Sequence, residues 1–171
     1  MRDSSDFDAF YHATSRRLLH QMYAMTGNAA DAQDCVQEAY TRAWQHWSRV
    51  RQAQYPEAWL RTVAWRVAAS RWRRARIGLA AQLRHGAAEP TPEPSPDNVA
   101  LVHALRRIPE EQRRAVVLFH LVGLTVEEVA RETGAPTGTV KARLVRGRAA
   151  LAQVIGDLGD VTMIREGRNH V

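Results

Sequence analysis

Apolar side chains recur every three or four residues along most of the chain, which is the periodicity of an α-helix with one buried face. The first stripe runs from Phe7 to Met25 and predicts a helix that ends near Gly27. The second predicts a helix from about Asn28 to Trp47. Similar stripes follow in the rest of the chain, so the pattern predicts an all-α fold.

The second predicted helix has an apolar face and an acidic face. Its inward positions are Val36, Ala39, Tyr40, Ala43 and Trp47. Asp31, Asp34 and Glu38 lie together on another side. A di-metal helix supplies a histidine three residues after a glutamate, whereas Glu38 is followed at that spacing by Thr41, so we predict no metal site. A solvated face and an acidic docking surface for a basic partner remain as interpretations.

Pro56 suits the first turn of a third helix. The apolar face of that helix consists of Trp59, Leu60, Val63, Ala64 and Val67. Its opposite side carries Trp65 and Trp72 beside Arg61 and Arg73. Aromatic rings between cations are typical of surfaces that stack splayed bases and follow a single strand. The alternative is that either tryptophan covers a neighbouring helix in a compact bundle.

Residues 86–98 have proline at every second position from Pro90 to Pro96, together with three acidic residues. This composition predicts an extended, negatively charged linker without helix or packed core. We therefore predict two small helical domains. The divisions are a first domain at residues 1–76, a linker at 77–98, a second domain at 99–156 and a tail of unassigned role at 157–171.

The second domain contains a helix, a short break and another helix. Thr125 and Glu128 have the spacing of a capping box, and Gly134 suits the end of the first helix. In the second helix the inward positions are Val140, Leu144, Gly147 and Leu151. The other side carries basic donors of a length suited to base edges and phosphates. The pattern predicts a helix-turn-helix that reads a major groove; the alternative is a helical hairpin with a solvated basic face.

The net charge of +6 is concentrated in two parts of the chain. Residues 56–86 contain seven basic residues (Lys and Arg) and one acidic residue. Residues 113–155 contain seven basic residues and three acidic residues. Between them, residues 87–112 contain two cations and five acidic residues. Two basic blocks with an acidic spacer predict two contacts with one polyanion.

The single cysteine, Cys35, excludes an internal disulfide framework and a cysteine-rich zinc site. Its place on an apolar helix face predicts a buried thiol. No run of about 18 apolar residues occurs, so we predict no membrane insertion. The acidic, polar N-terminus does not resemble a signal peptide, and a cytoplasmic protein is expected.

With both halves in view, the chain resembles the extracytoplasmic-function (ECF) class of bacterial RNA polymerase sigma factors. The stretches that carry the resemblance are DAQDCVQEAYTRAW (31–44), PEAWLRTVAWRVAASRWRR (56–74) and the segment from Ile108 to Leu151. The resemblance implies a promoter-melting domain, a linker and a helix-turn-helix domain. It also implies an alternative sigma factor that gives RNA polymerase promoter specificity, with no catalysis and no cofactor of its own.

The resemblance further implies three binding surfaces. The surface for the polymerase core falls on Asp31, Asp34, Gln37, Glu38 and Arg42. The surface that binds the −10 element of the promoter, the −10 surface, falls on Arg49, Arg51, Gln52, Tyr55, Thr62, Trp65, Arg66, Ala69 and Arg73. The surface that binds the −35 element of the promoter, the −35 surface, falls on Thr139, Lys141, Ala142, Arg143, Val145, Arg146 and Arg148.

The partners implied by the resemblance are the polymerase core, through its β′ clamp helices and β flap, and promoter DNA. An anti-sigma factor, where one exists, would bind the same helical surfaces. Arg66 stands where many relatives have asparagine and Ala142 where serine is frequent, so base preferences do not transfer. The alternative function is a stand-alone helix-turn-helix regulator whose first domain senses a ligand or dimerises. A nucleic-acid enzyme would need a catalytic constellation that the sequence does not contain.

Overall fold

The computed structural model describes the backbone of residues 2–79 and 96–167, and the side chains of residues 4–78 and 99–157. Those residues form helices joined by short connections, and no strand occurs among them. The chain divides into two compact units, Met1–Glu93 and Pro94–Val171. The prediction of an all-α protein with two helical domains is confirmed. Most of the predicted linker lies outside the described residues.

Four helices form the described part of the first unit, residues 2–79. They are α1 (Arg2–Thr26), α2 (Ala29–Gln45), α3 (Trp47–Val50) and α4 (Pro56–Leu79). Gly27 closes α1 with a φ of 73°, and the Asn28 side chain caps α2 by accepting a 3.0 Å hydrogen bond from the Asp31 amide. The polar stretch at residues 48–55 is partly helical, because buried Trp47 and Val50 anchor the single turn of α3.

The core of the first unit lies where α2 packs against both α1 and α4. The five inward positions predicted for the second helix are all buried, as is Cys35. Tyr40 joins α2 to α1 through a 2.7 Å hydrogen bond between its hydroxyl and Thr14 Oγ1. The Phe7 ring lies edge-on to Trp47, with ring centroids 5.2 Å apart. One-sided amphipathicity therefore predicted this helix correctly.

Within residues 96–167, the second unit contains a further four helices and one π-helical turn. They are α5 (Pro96–Arg106), α6 (Glu110–Val116) with the π-turn Val117–Leu121 continuing it, α7 (Val126–Thr133) and α8 (Thr137–Gly167). The linker prediction is wrong at its two ends, since α4 continues to Leu79 and α5 begins at Pro96. Proline is compatible with the first turn of a helix, where its missing N–H has no partner to lose. None of the described helices has the length and apolar composition of a membrane span.

The helix-turn-helix forms as predicted. Thr125 Oγ1 accepts from the Glu128 amide at 3.2 Å, and the Thr125 amide donates to Glu128 Oε2 at 2.8 Å, which completes the capping box. Gly134 ends α7 with a φ of 68°. On α8, Val140 and Leu144 are buried.

Close approach of α8 to α6 depends on Gly147. A Cβ atom at this position would lie 2.8 Å from Val116 Cγ2 and 3.3 Å from the Gln112 carbonyl oxygen. The glycine is therefore required by packing, because any side chain would separate the two helices.

Candidate functional site

The acidic face of α2 is at the surface of the first unit. Asp34 Oδ2 forms an ion pair with Arg71 NH1 of α4 at 3.1 Å, and Glu38 Oε1 forms one with Arg42 at 2.7 Å. Gln37 is exposed on the same side of the helix. All five residues predicted for polymerase binding are at least partly accessible. The two ion pairs compensate part of the charge of Asp34 and Glu38 within the unit.

Beside this face, α1 and α2 enclose an open cleft of about 620 Å³. Its lining is largely apolar and aromatic and includes Tyr11, Leu19, Gln37 and Trp44. Trp44 is 50% exposed. The inward stripe of α2 did not predict this cleft, because Trp44 is not one of the five inward positions. The lining residues include one cation, Arg16. An open apolar groove of this kind suits the apolar face of an amphipathic helix.

Burial raises the pKa of the Cys35 thiol from 9.0 to about 11, with nearby Arg71 lowering it in part. The thiol is therefore protonated at neutral pH, as expected of a packing residue. Among residues 4–78 and 99–157, no group of three or more His, Cys, Asp and Glu side chains could hold a metal ion.

The predicted −10 surface comprises an exposed group and a more buried group. Arg49, Arg51, Gln52 and Tyr55 are exposed on α3 and the connection that follows it. On α4, Arg66 and Arg73 are also exposed, whereas Thr62 and Ala69 are half-buried. Arg51 also lies 3.7 Å from Asp6 Oδ2 of α1, so part of its charge is compensated within the unit.

Trp65 contradicts the prediction of an exposed base-stacking ring. It is only 5% exposed, and Arg61 and Ala68 on the same helix are buried as well. The reason is that α4 packs against both α1 and α2, so it has two buried sides rather than one. The ring of half-buried Trp72 meets Trp65 edge-on, with centroids 5.3 Å apart. The alternative interpretation, a tryptophan covering a neighbouring helix, is correct for Trp65.

The predicted −35 surface follows the side of α8 opposite the core. Thr139, Lys141, Val145 and Arg146 are exposed, and Ala142 is half-buried. These side chains form one continuous face of a helix that stands at the surface of its unit, which is the arrangement required for insertion into a major groove.

Arg143 and Arg148 at the edges of that face contact their own unit. Arg143 NH1 lies 3.2 Å from Glu111 Oε2 of α6. Arg148 Nε donates to His120 Nε2 at 2.9 Å, and its guanidinium carbon stands 5.3 Å from the centroid of the Phe119 ring. Sequence reasoning missed these partners, which lie 28 to 32 residues away in the chain. Each contact orients a guanidinium at the edge of the face.

Some cations of the basic blocks are structural. Arg113 and Arg114 are buried and donate to the carbonyl oxygens of Leu105 and Glu132, each at 3.4 Å. Burial lowers the pKa of the Arg113 guanidinium. The count of cations in residues 113–155 therefore overstates the charge available to a polyanion.

Comparison with known proteins identifies both units. Residues 10–77 match the family model for sigma-70 region 2, and residues 98–151 match the model for sigma-70 region 4. The ECF RNA polymerase sigma factor SigM of Mycobacterium tuberculosis is 32% identical over 166 residues, which cover 95% of this chain and 84% of the relative. The RNA polymerase sigma-E factor of Streptomyces coelicolor is 28% identical, with 98% and 97% covered.

A solved structure has a similar fold. It is the sigma factor RpoE in complex with the anti-sigma factor NepR from Bartonella quintana, with a TM-score of 0.74 and 23% identity. The match covers 88% of this chain and 97% of that one. At this identity the likeness concerns the fold alone.

Proposed function

The chain belongs to the extracytoplasmic-function family of RNA polymerase sigma factors and is an alternative sigma factor that directs transcription initiation, and we propose how its surfaces divide that task. The first unit binds the polymerase core and captures unpaired −10 bases, and the second reads the −35 duplex. The chain catalyses no reaction itself and works in the cytoplasm beside the polymerase.

Core binding is assigned to the acidic face of α2 and the cleft beside it. The clamp helices of the β′ subunit would place basic side chains against Asp34 and Glu38, while apolar side chains enter the cleft next to Trp44. The combination supports docking better than either feature alone, because burial of apolar area supplies affinity and charge complementarity supplies orientation. The β flap is the proposed core contact of the second unit. An anti-sigma factor would compete for the same surfaces.

The −10 strand is assigned to the exposed cations and polar groups around α3 and α4. Arg49 and Gln52 approach from the connection, and Arg66 and Arg73 from α4. Half-buried Trp72 replaces Trp65 as the aromatic surface within reach of a base. Trp65 instead supports the Trp72 ring from inside the unit. Stacking on such a ring compensates for the base stacking that is lost when the duplex opens.

The −35 duplex is assigned to α8. Lys141 and Arg146 are exposed on the outer face and have the donors that read guanine in the major groove. Arg143 and Arg148 lie at the edges, where they are held for contacts with phosphates. Phosphate contacts fix the register of the helix, and base contacts give specificity.

The observation that carries the proposal is the exposure of Lys141 and Arg146 on α8, in a chain whose other unit exposes the acidic face of α2. A stoichiometry measurement tests it against the stand-alone regulator. We expect the purified chain to bind polymerase core as one copy per enzyme and to bind promoter duplex weakly by itself. A chain that ignored the core and bound a palindromic duplex tightly as a dimer would instead be a conventional regulator.

A further inference from the structure

The part of α8 that points directly away from the core is apolar rather than charged. At 100° per residue, the direction opposite buried Val140 and Leu144 is occupied by small and aliphatic residues. They are Gly138, Ala142, Val145 and Ala149. Lys141 and Arg146 flank this ridge on its two sides. The side chains that would reach deepest into a groove are therefore hydrocarbon.

Val145 is the largest member of the ridge and is 64% exposed. Its γ-methyls project beyond the neighbouring Cβ groups of Ala142 and Ala149. Since valine is β-branched, χ1 is restricted before binding, and little rotamer freedom is lost when a ligand contacts it. The small neighbours leave room for the helix to approach base edges closely.

We propose that Val145 reads a thymine in the −35 element by contact with the C5-methyl group of that base. The inference rests on the proposed −35 duplex binding and deepens it. Thymine is the only standard base with a methyl group in the major groove. An apolar side chain can therefore recognise thymine, just as a basic side chain can recognise guanine. The charged flanks would fix the neighbouring bases and phosphates.

Deoxyuridine supplies a direct test, because it differs from thymidine only in that methyl group. Promoter duplexes that are randomised at −35 are first selected with holoenzyme assembled from this chain and polymerase core. Each thymine of the selected element is then replaced singly by uracil, and holoenzyme affinity is measured by competition. At one position we expect a loss of about three- to five-fold in affinity, because the burial of one methyl group no longer contributes to binding.

The Val145→Ala variant completes a double-mutant cycle with that position. Binding to the thymine duplex should fall by a similar factor, and the preference for thymine over uracil should disappear. Ile155→Ala is the matched control, since Ile155 is also an exposed aliphatic residue of α8, at 51%, but points away from the ridge. It should leave both affinities unchanged.

The two proposals fail in different ways. Holoenzyme that selects no −35 sequence at all contradicts the proposed −35 binding. Selection of an element with no uracil-sensitive thymine, or persistence of the thymine preference in Val145→Ala, overturns the methyl contact while leaving −35 binding intact.

Discussion

The rings of Trp65 and Trp72 make an edge-to-face contact on one side of α4, with ring centroids 5.3 Å apart and ring planes at 79°. The inner ring is 5% exposed, and the outer ring is half-buried. The pair thus connects the core of the first unit to its proposed −10 surface. Removal of each ring should have a different consequence.

Trp65→Ala should destabilise the first unit by about 3–5 kcal/mol, because it removes a large buried side chain and leaves a cavity. Trp72→Ala should cost much less stability and should reduce open-complex formation. All five tryptophans lie between residues 44 and 72, so their fluorescence in urea reports the unfolding of this unit alone. Permanganate footprinting reports the bubble. A stable Trp65→Ala protein with a normal unfolding midpoint would contradict the packing role.

Apolar periodicity predicted the buried residues correctly for a helix that packs on one side. It did not predict them for α4, which is buried on two sides. Val36 and Tyr40 lie on a single stripe, and the structure buries both. Trp65 lies opposite the main stripe of α4, where periodicity cannot distinguish a second packed side from a functional aromatic surface. Only the placement of α4 between two helices decides the matter.

Partners distant in sequence were equally beyond prediction. The donor pattern of α8 indicated its outward face, which the structure confirms for Lys141 and Arg146. It did not indicate that Arg148 is held by His120, because that contact depends on the position of the π-turn relative to α8. The cleft next to Trp44 likewise exists only once α1 and α2 are packed together.

Gly147→Ala should destabilise the second unit by about 1–3 kcal/mol. The new Cβ would lie 2.8 Å from Cγ2 of buried Val116, a stiff side chain that cannot move aside, and this overpacking exceeds the helical preference of alanine over glycine. Gly156→Ala on the same helix is the control. Nothing lies within 4 Å of its Cβ position, so this change should stabilise α8 by about 0.5–1 kcal/mol. Amide hydrogen exchange in α6 and α8 measures both, and equal effects would contradict the close packing.

Asp34→Arg should weaken core-polymerase binding at least ten-fold, since it places a cation on the acidic docking face. The internal pair with Arg71 is exposed and contributes only about 0–1 kcal/mol, so the fold should persist. The charge-swapped variant Asp34→Arg/Arg71→Asp restores the pair but not the carboxylate on α2. Binding assays with purified core should therefore find the swap as weak as the single change. Full recovery of core binding in the charge-swapped variant would mean that Asp34 acts only through its ion pair with Arg71.

Arg146→Ala should reduce −35 duplex affinity by about 1–3 kcal/mol and relax the preference at one base pair. Arg148→Ala should weaken all duplexes by a similar factor, since a guanidinium held at the edge by His120 is placed for a phosphate. Competition with singly substituted duplexes separates the two patterns. If Arg146→Ala weakened binding to all duplexes equally, Arg146 would not be a residue that reads a base.

Cys35 should resist alkylation at pH 8 in the folded protein and react after unfolding in urea, because burial raises its pKa from 9.0 to about 11. The folded state holds the thiol proton more tightly than the unfolded state. The associated stability is fully present below pH 9 and is lost as pH rises towards 11. Timed labelling with iodoacetamide checks the first statement, and rapid labelling of folded protein would contradict burial.

Run-off transcription tests the central claim most directly. Purified core polymerase and this chain are incubated with the upstream region of the chain's own gene, with core alone as the reference. The account predicts a discrete transcript that requires the chain and is lost with Arg146→Ala combined with Asp34→Arg. The same transcript from core alone, or no transcript from any promoter that the holoenzyme has been shown to bind, would contradict it.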